Sequence, residues 1–568
     1  MNPIQITKPH YRFLKPGLET SWANLEEYFQ NLSTRAIESK EDLNLWLRDR
    51  SELEAYLEED FAWRYIKMTS DTTNADYTRS FQFFAQEIEP KIAPWSDILN
   101  KKLVQSPFSA GLNHAPYEVF FKRIDTQIRL YREENIPLLT ELQVKQQEFG
   151  KISGAMEVEI DGKVYTMEQA STFLKNPDRR LRQEAFEKIA ARRLEDRKKL
   201  DALFEELFAL RQKVAKNAGF ENFRDYSFQA LCRFDYGPRE TSQFAESIKE
   251  EIVPILKNIA EKRRKSLGLE VLKPWDMDVD ISGRPPLKPF ENGEDLVNKS
   301  IECFSSLDPY FGECLKAMRE KGFFDLESRS GKAPGGYNYP LAESGAPFIF
   351  MNSAGAFRDL TTMVHEGGHA IHTFLTRDLL LNDFKHLPSE IAELASMSME
   401  LLSMDRWPIF FPNEEDFKRA KEEQLIDSLK TFPWVAIIDQ FQDRLYTEAY
   451  SLENIRNTWI ELYKDFGAGF CDWTGYEEYR DHLWQKQLHL FEVPFYYIEY
   501  GIAGLGALAV WKNYTENPEE AIANYKKALS LGYTQSISEM YKTAGIRLDM
   551  SRNYISTLAG FVESHLNN

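Results

Sequence analysis

The chain has 568 residues, 43% of them apolar and 13% aromatic. It can therefore bury a large core, and wholesale disorder is excluded. Seventy basic residues stand against 89 acidic ones, a formal charge of −19, which argues against general affinity for nucleic acid or anionic membranes.

From the N-terminus onward, WANLEEYFQNL, DLNLWLRDRSELEAYLEEDFAW and RSFQFFAQEIEPKI repeat apolar residues at three- and four-residue intervals among charges, the period of amphipathic helices. The same period runs over 117–150 and 176–217. MEVEIDGKVYTM, 156–167, breaks it: alternating apolar positions flank Asp161-Gly162, which predicts a tight β-hairpin. Residues 273–295 are polar and proline-rich and read as a connection, and 328–347 read as a second loop. PFIFMN, 347–352, is short, apolar and bounded by turn residues, which predicts a strand able to pair with an extended peptide backbone. Helical patterning then continues to the end. The predicted class is mainly α, with a small β element next to the segment that follows.

Four widely spaced cysteines, Cys232, Cys303, Cys314 and Cys471, form no C-x-x-C pair, the usage of a reducing compartment. The first residues show no basic stretch followed by an apolar run, and the longest apolar run, 501–511, is too short to span a bilayer. The expectation is a cytoplasmic protein that engages neither nucleic acid nor membrane, with no oligomeric state implied.

The chemistry concentrates in TTMVHEGGHAIHTF, 361–374. In a helix, residues four apart differ by only about 40° around the axis and about 6 Å along it. His365 and His369 would then offer two imidazole nitrogens to one metal ion, while Glu366, turned about 100° away, suits a general base better than a ligand. Asp359 is a candidate helix cap, or a partner for a histidine's second nitrogen. Gly367 and Gly368 weaken an isolated helix by roughly 0.5–1 kcal/mol each. A third ligand is expected from LPSEIAELASMSMELL, 387–402, where Glu390, Glu393 and Glu400 are the candidates. Glu393 shares an inward face with Ser396 and Glu400, whereas Glu390 reads as a solvated acid. His372, seven residues after His365, is assigned to packing or to support behind the ligands.

VHEGGHAIH, 364–372, followed by SEIAELASMSMEL, 389–401, resembles the M3 family of zinc metallopeptidases, the thimet oligopeptidase and oligoendopeptidase F group. GKAPGGY, 331–337, and GFENFRDYSFQALCRFDY, 219–236, are similar to the oligoendopeptidase branch. The resemblance implies a large helical zincin-like peptidase with two mostly helical halves flanking a deep substrate channel. Residues 1–190 would form an N-terminal helical region that includes the hairpin, and 191–568 the catalytic domain. It implies one Zn2+ ion held by His365, His369 and Glu393, with Glu366 as the base, and short peptides as substrates. It further implies, from LHLFEVPFYYIEYGIAG, 488–504, that Tyr500 and His489 stabilise the oxyanion. Tyr497, Tyr496, Gly335 and Gly336 would contact substrate. The family's glycine-rich segment before these tyrosines is replaced here by FEVPF, and its H-E-F-G-H by HEGGH. Gly367 is thus expected to vacate space for another side chain or for substrate. A helical metallocarboxypeptidase and a non-catalytic peptide-binding protein are the alternative readings.

Overall fold

The computed structural model describes residues 4–8, 11–112, 115–329, 331–333, 335–448, 451–467 and 470–566. Residues 1–3, 9 and 10 of the N-terminal stretch, and Ser330 and Pro334 of the predicted 328–347 loop, lie outside the described residues.

Helices dominate, and many start where the sequence supplies an acceptor for their first free N–H groups. Ser39 accepts from the Asp42 amide, and Asn222 from that of Asp225. Proline takes the first turn at Pro238, Pro309 and Pro518, where its missing N–H costs nothing. The two long helical stretches are each divided. The first becomes Tyr117–Leu130 and Asn135–Gly154. The second becomes Arg179–Glu195 and Arg197–Asn217, parted at Asp196, whose carboxylate accepts from Arg192 and Lys199.

Eight helices carry the residues described below, in chain order: α1 (Lys40–Ser70), α2 (Arg197–Asn217), α3 (Gly293–Leu307), α4 (Phe357–Thr376), α5 (Ser389–Leu402), α6 (Glu414–Thr447), α7 (Leu488–Glu492) and α8 (Ile498–Glu516). The predicted hairpin is formed by β1 (Glu157–Ile160) and β2 (Lys163–Thr166), antiparallel, with Asp161 and Gly162 both at positive φ, the turn that matches strand twist.

By contact, the chain forms two compact units, each drawn from three segments. The first comprises Met1–Ile136, Lys288–Arg419 and Gly506–Leu548; the second comprises Pro137–Leu287, Ala420–Leu505 and Asp549–Asn568.

The first unit contains a three-stranded sheet in the order β3 (Phe324–Glu327), β5 (Ala346–Ser353), β4 (Tyr337–Leu341). β3 runs parallel to β5 and β4 antiparallel, with Tyr337 opposite Phe350 and Leu341 opposite Ala346. Two expectations change here. The stretch 328–347 is not all loop, because Tyr337–Leu341 alternates well enough to pair. PFIFMN lies within β5, the central strand, whose hydrogen-bonding edges are taken by β3 and β4, so it has none left for a peptide. Phe348 and Phe350 pack with Ala62 and Ile66 of α1 and with Leu341. The buried Lys332 ammonium anchors the preceding loop by donating to the Asp325 carboxylate and to the carbonyls of Asp325, Glu327 and Met351.

The second unit holds the hairpin, α2, α7 and adjoining parts of α6 and α8. Two buried arginines organise it. Arg211 of α2 donates to the carbonyls of Leu490 and Phe491 and to the Tyr446 hydroxyl, so it satisfies the free end of the short helix α7. Arg233 donates to the Phe495 carbonyl and, at 2.9 Å, to the Glu499 carboxylate, with both side chains of that ion pair buried.

Removing one partner of a buried ion pair costs about 3–5 kcal/mol, whereas exchanging both for apolar residues costs far less. Arg233→Met should lower stability by that order in chemical denaturation, and Arg233→Met with Glu499→Leu should recover most of it. An additive double mutant would show that the pair is not coupled.

Candidate metal centre and aromatic cluster

α4 enters from β5 through Gly355, at φ +89, and is capped by Asp359, whose Oδ2 accepts from the amides of Ala354 and Ala356. Asp359 is thus a cap and not a histidine partner. The buried face of α4 carries Phe357, Leu360, Met363, Val364, Ala370, Ile371 and Phe374, which leaves His365 and His369 on the other side, with ring centroids 5.0 Å apart.

α5 packs directly on this helix. A Cβ on Gly368 would lie 2.6 Å from Ser396 Cα and 2.7 Å from the Ala395 carbonyl oxygen, so only glycine permits the approach. The Ala395 carbonyl is held by the Tyr525 hydroxyl at 2.7 Å. This contact carries Glu393 to the histidines: its Oε2 lies 3.4 Å from His365 Nε2 and 3.8 Å from His369 Nε2. Among the described residues this is the one His/Cys/Asp/Glu group whose ligand atoms all lie within 4.8 Å of one another.

Each donor has a further hydrogen-bond partner. Glu400 Oε1 lies 2.7 Å from His365 Nδ1, and the Ala392 backbone hydrogen-bonds the His369 ring. The Ser396 hydroxyl lies 3.2 Å from Glu393 Oε2. Two imidazoles and a carboxylate at these separations, each with a further partner, are a donor set that would suit a divalent metal ion such as zinc.

The electrostatics follow burial. Burial alone would lower the pKa of His365, but the hydrogen bonds and charges of Glu393 and Glu400 outweigh it and hold the group well above the usual value. Burial pushes His369 down to about 4 and His372 down to about 3, so both rings are neutral. Glu366, one residue from His365, is buried, and burial raises it to about 7, with Glu393 and Glu400 adding to the effect and His365 opposing it. A carboxyl balanced near neutrality can take and return a proton.

Two expectations are settled by packing. Gly367 makes room for a side chain: a Cβ there would lie 2.5 Å from Phe304 Cζ of α3. Glu390 is not a solvated acid but buried at 2% exposure.

Gly335 and Gly336 lie beside the first turns of α4. The Gly335 carbonyl accepts from Asn352 Nδ2 at 2.8 Å, and a Cβ on Gly336 would sit 3.6 Å from Thr362 Cγ2. Asn338 of β4 was not singled out by sequence, yet its Nδ2 donates to the Glu366 carbonyl at 3.1 Å and ties the sheet to the motif.

In the second unit, His489 and the three tyrosines form one cluster. The His489 ring centroid is 4.8 Å from Tyr497, 5.7 Å from Tyr500 and 5.9 Å from Tyr496. Their placement rests on Phe495, a non-glycine residue at φ +65. That conformation costs roughly 1–2 kcal/mol, and here it is held by Gln442, which accepts the Phe495 amide, by Arg233 and by ring packing on Phe223, Phe228 and Tyr446.

A mainly helical chain with an H-E-x-x-H helix and a facing glutamate defines a metal-dependent peptidase of the zincin type. The model of the Peptidase M3 N-terminal domain matches residues 18–131, and that of Peptidase family M3 matches 172–560. The chain therefore belongs to peptidase family M3 and is a metallopeptidase. An oligoendopeptidase F homolog of Borreliella burgdorferi is 23% identical, over 96% of each chain. A solved structure of PZ peptidase A with an inhibitor superposes with TM-score 0.89 at 26% identity, over 98% of each chain. Oligoendopeptidase-F from Enterococcus faecium shares the fold at TM-score 0.65 and 16% identity, over 96% of each chain.

Gly367→Phe should unfold at a markedly lower temperature because Phe304 occupies the space, and Phe304→Ala added to it should restore part of the loss. If Gly367→Phe alone is neutral, the packing is misread. Gly368→Val should weaken zinc binding in a titration as well as stability, since it forces α5 and Glu393 away.

Proposed function

We propose that the chain is a zinc-dependent oligoendopeptidase that cleaves internal bonds of short, unstructured peptides. The observation that carries this reading is the His365, His369 and Glu393 donor set with the buried Glu366 carboxyl beside it. A zinc ion bound there supplies Lewis acidity and makes water a competent nucleophile at neutral pH.

Glu366 takes the proton of the attacking water and returns it to the departing amine, which is the task its near-neutral balance suits. Glu400 and Ser396 keep His365 and Glu393 in register. Tyr500, with Tyr497 or His489, donates hydrogen bonds to the oxygen on which negative charge develops. Tyr496 contacts substrate, and Gly335 and Gly336 admit the peptide backbone closely because they carry no side chain. The peptide-pairing role expected of PFIFMN passes to β4, the sheet's outer strand on that side.

No described helix is long and apolar enough to cross a membrane, and all four cysteines are free thiols. Free thiols are the usage of a reducing compartment, which supports a cytoplasmic place.

An internally quenched peptide blocked at its C-terminus tests the cleavage mode. It should be cut, and a chelator should stop the cutting until zinc is restored; trimming of free C-termini alone would instead mark a carboxypeptidase. Glu366→Gln should lower kcat by about 10²–10⁴-fold with zinc still bound at one ion per chain. A peptide-binding protein would be indifferent to that change. Tyr500→Phe should cost about 10²–10³ in kcat with little change in KM, and an effect confined to KM would assign it to substrate binding.

A further inference from the structure

His489 is hydrogen-bonded by Gln487, which is in turn held by Trp434, and this chain of bonds bears on which ring nitrogen carries the proton. Trp434 of α6 points its indole Nε1–H at Gln487 Oε1, 2.8 Å away. Gln487 immediately precedes α7, and its Nε2 lies 2.7 Å from His489 Nδ1. An indole nitrogen can only donate, so the glutamine must present its carbonyl oxygen to Trp434. The amide's NH2 then necessarily faces His489, and an NH2 group offers hydrogens and no lone pair. His489 Nδ1 must therefore be the acceptor. An imidazolium has no acceptor nitrogen, so the ring is neutral and its proton sits on Nε2. The reversed amide would set donor against donor at Trp434, whose indole nitrogen has no other role to take.

The indole that fixes this chain of bonds is itself immobilised. It stands edge-on to Trp459, at 5.6 Å between centroids, and Trp459 is fully buried, its own Nε1–H donating to the Arg480 carbonyl. The Lys486 ammonium sits 4.7 Å over the Trp434 ring. The three tyrosine rings stand with their centroids 4.8–5.9 Å from that of His489.

We propose that Trp434 and Gln487 are positioning residues that lock His489 in the Nε2–H tautomer, so that it meets substrate as a hydrogen-bond donor and never as a base. This deepens the reading of His489 as one of the groups that stabilise the oxyanion, and its catalytic meaning rests on that reading. A developing negative oxygen needs an N–H already in place; a ring free to exchange tautomers would present a lone pair part of the time. Neither residue need touch substrate to have this effect, and a second partner that fixes a histidine's tautomer is a recurring device at catalytic sites.

The test uses the full-length, zinc-loaded protein labelled with 15N-histidine, with the His489 ring signals assigned by their loss in His489→Asn. Ring-nitrogen correlation spectra should show an unprotonated Nδ1 and a protonated Nε2. Gln487→Glu substitutes a carboxylate that accepts from both neighbours, so His489 should become protonated at Nδ1. Trp434→Phe keeps an aromatic ring but removes the donor that orients the amide, and should give a mixed tautomer. With the quenched peptide, both variants should lose about 10–100-fold in kcat with KM changed less than kcat. Zinc content, in the other unit's site, should be unchanged. A protonated Nδ1 in the unsubstituted protein, or a tautomer that Gln487→Glu leaves unmoved, overturns the lock. The expected tautomer together with an unaltered kcat in His489→Asn upholds the lock and overturns the oxyanion role of His489.

Discussion

The candidate metal centre depends on one contact between two helix backbones. α4 and α5 approach so closely at Gly368 that a single Cβ would meet Ser396 Cα and the Ala395 carbonyl. That approach brings Glu393 from a separate helix to within 3.8 Å of both histidine nitrogens, and Glu400, two turns further on, reaches His365 from the same helix. The cost of glycine in a helix interior, roughly 0.5–1 kcal/mol, is set against packing that no larger residue allows. The adjacent Gly367 serves the opposite flank, where Phe304 fills the space its missing side chain leaves. The two glycines that weaken α4 as an isolated helix are the two that let it be held from both sides.

A comparable logic governs the aromatic cluster in the second unit. Four functional-type side chains within twelve residues need a backbone that turns sharply between α7 and α8. Where the family has a glycine-rich segment, this chain places Phe495 in a left-handed conformation. Gln442 and Arg233 take up its amide and carbonyl, and aromatic neighbours pack around its ring. Arg211 performs the parallel service for the end of α7. In this chain the turn is supported by buried side chains and not by glycine's conformational freedom.

Much of the metal site was legible because helical geometry is local. A spacing of four fixes two imidazoles on one face, and the apolar residues around Glu393 mark it as inward-facing whatever it packs against. The hairpin was equally local, since Asp161-Gly162 carries its own turn preference. Glu390 shows where local reasoning stops: one turn before Glu393 on the same helix, it read as solvated, yet it is buried because the cover comes from elsewhere in the chain. PFIFMN was a strand by its own composition, but nothing in six residues says how many partners a strand will have. β3 and β4 decided that, and with it which strand has an edge to offer.

What the sequence determined by itself is the chemistry carried: a pair of histidines at metal-ligand spacing on a helix, an adjacent carboxylate, a facing glutamate and a run of tyrosines, all set by periodicity and residue type. What the tertiary structure decided is which groups stand behind them. Phe304 against Gly367, Glu400 behind His365, and Trp434 through Gln487 behind His489 are separated by between 35 and 63 residues from the groups they serve. No helical or strand period reaches that far. Orientation, tautomer and close approach depend on atoms brought together by packing, and only the folded chain specifies them.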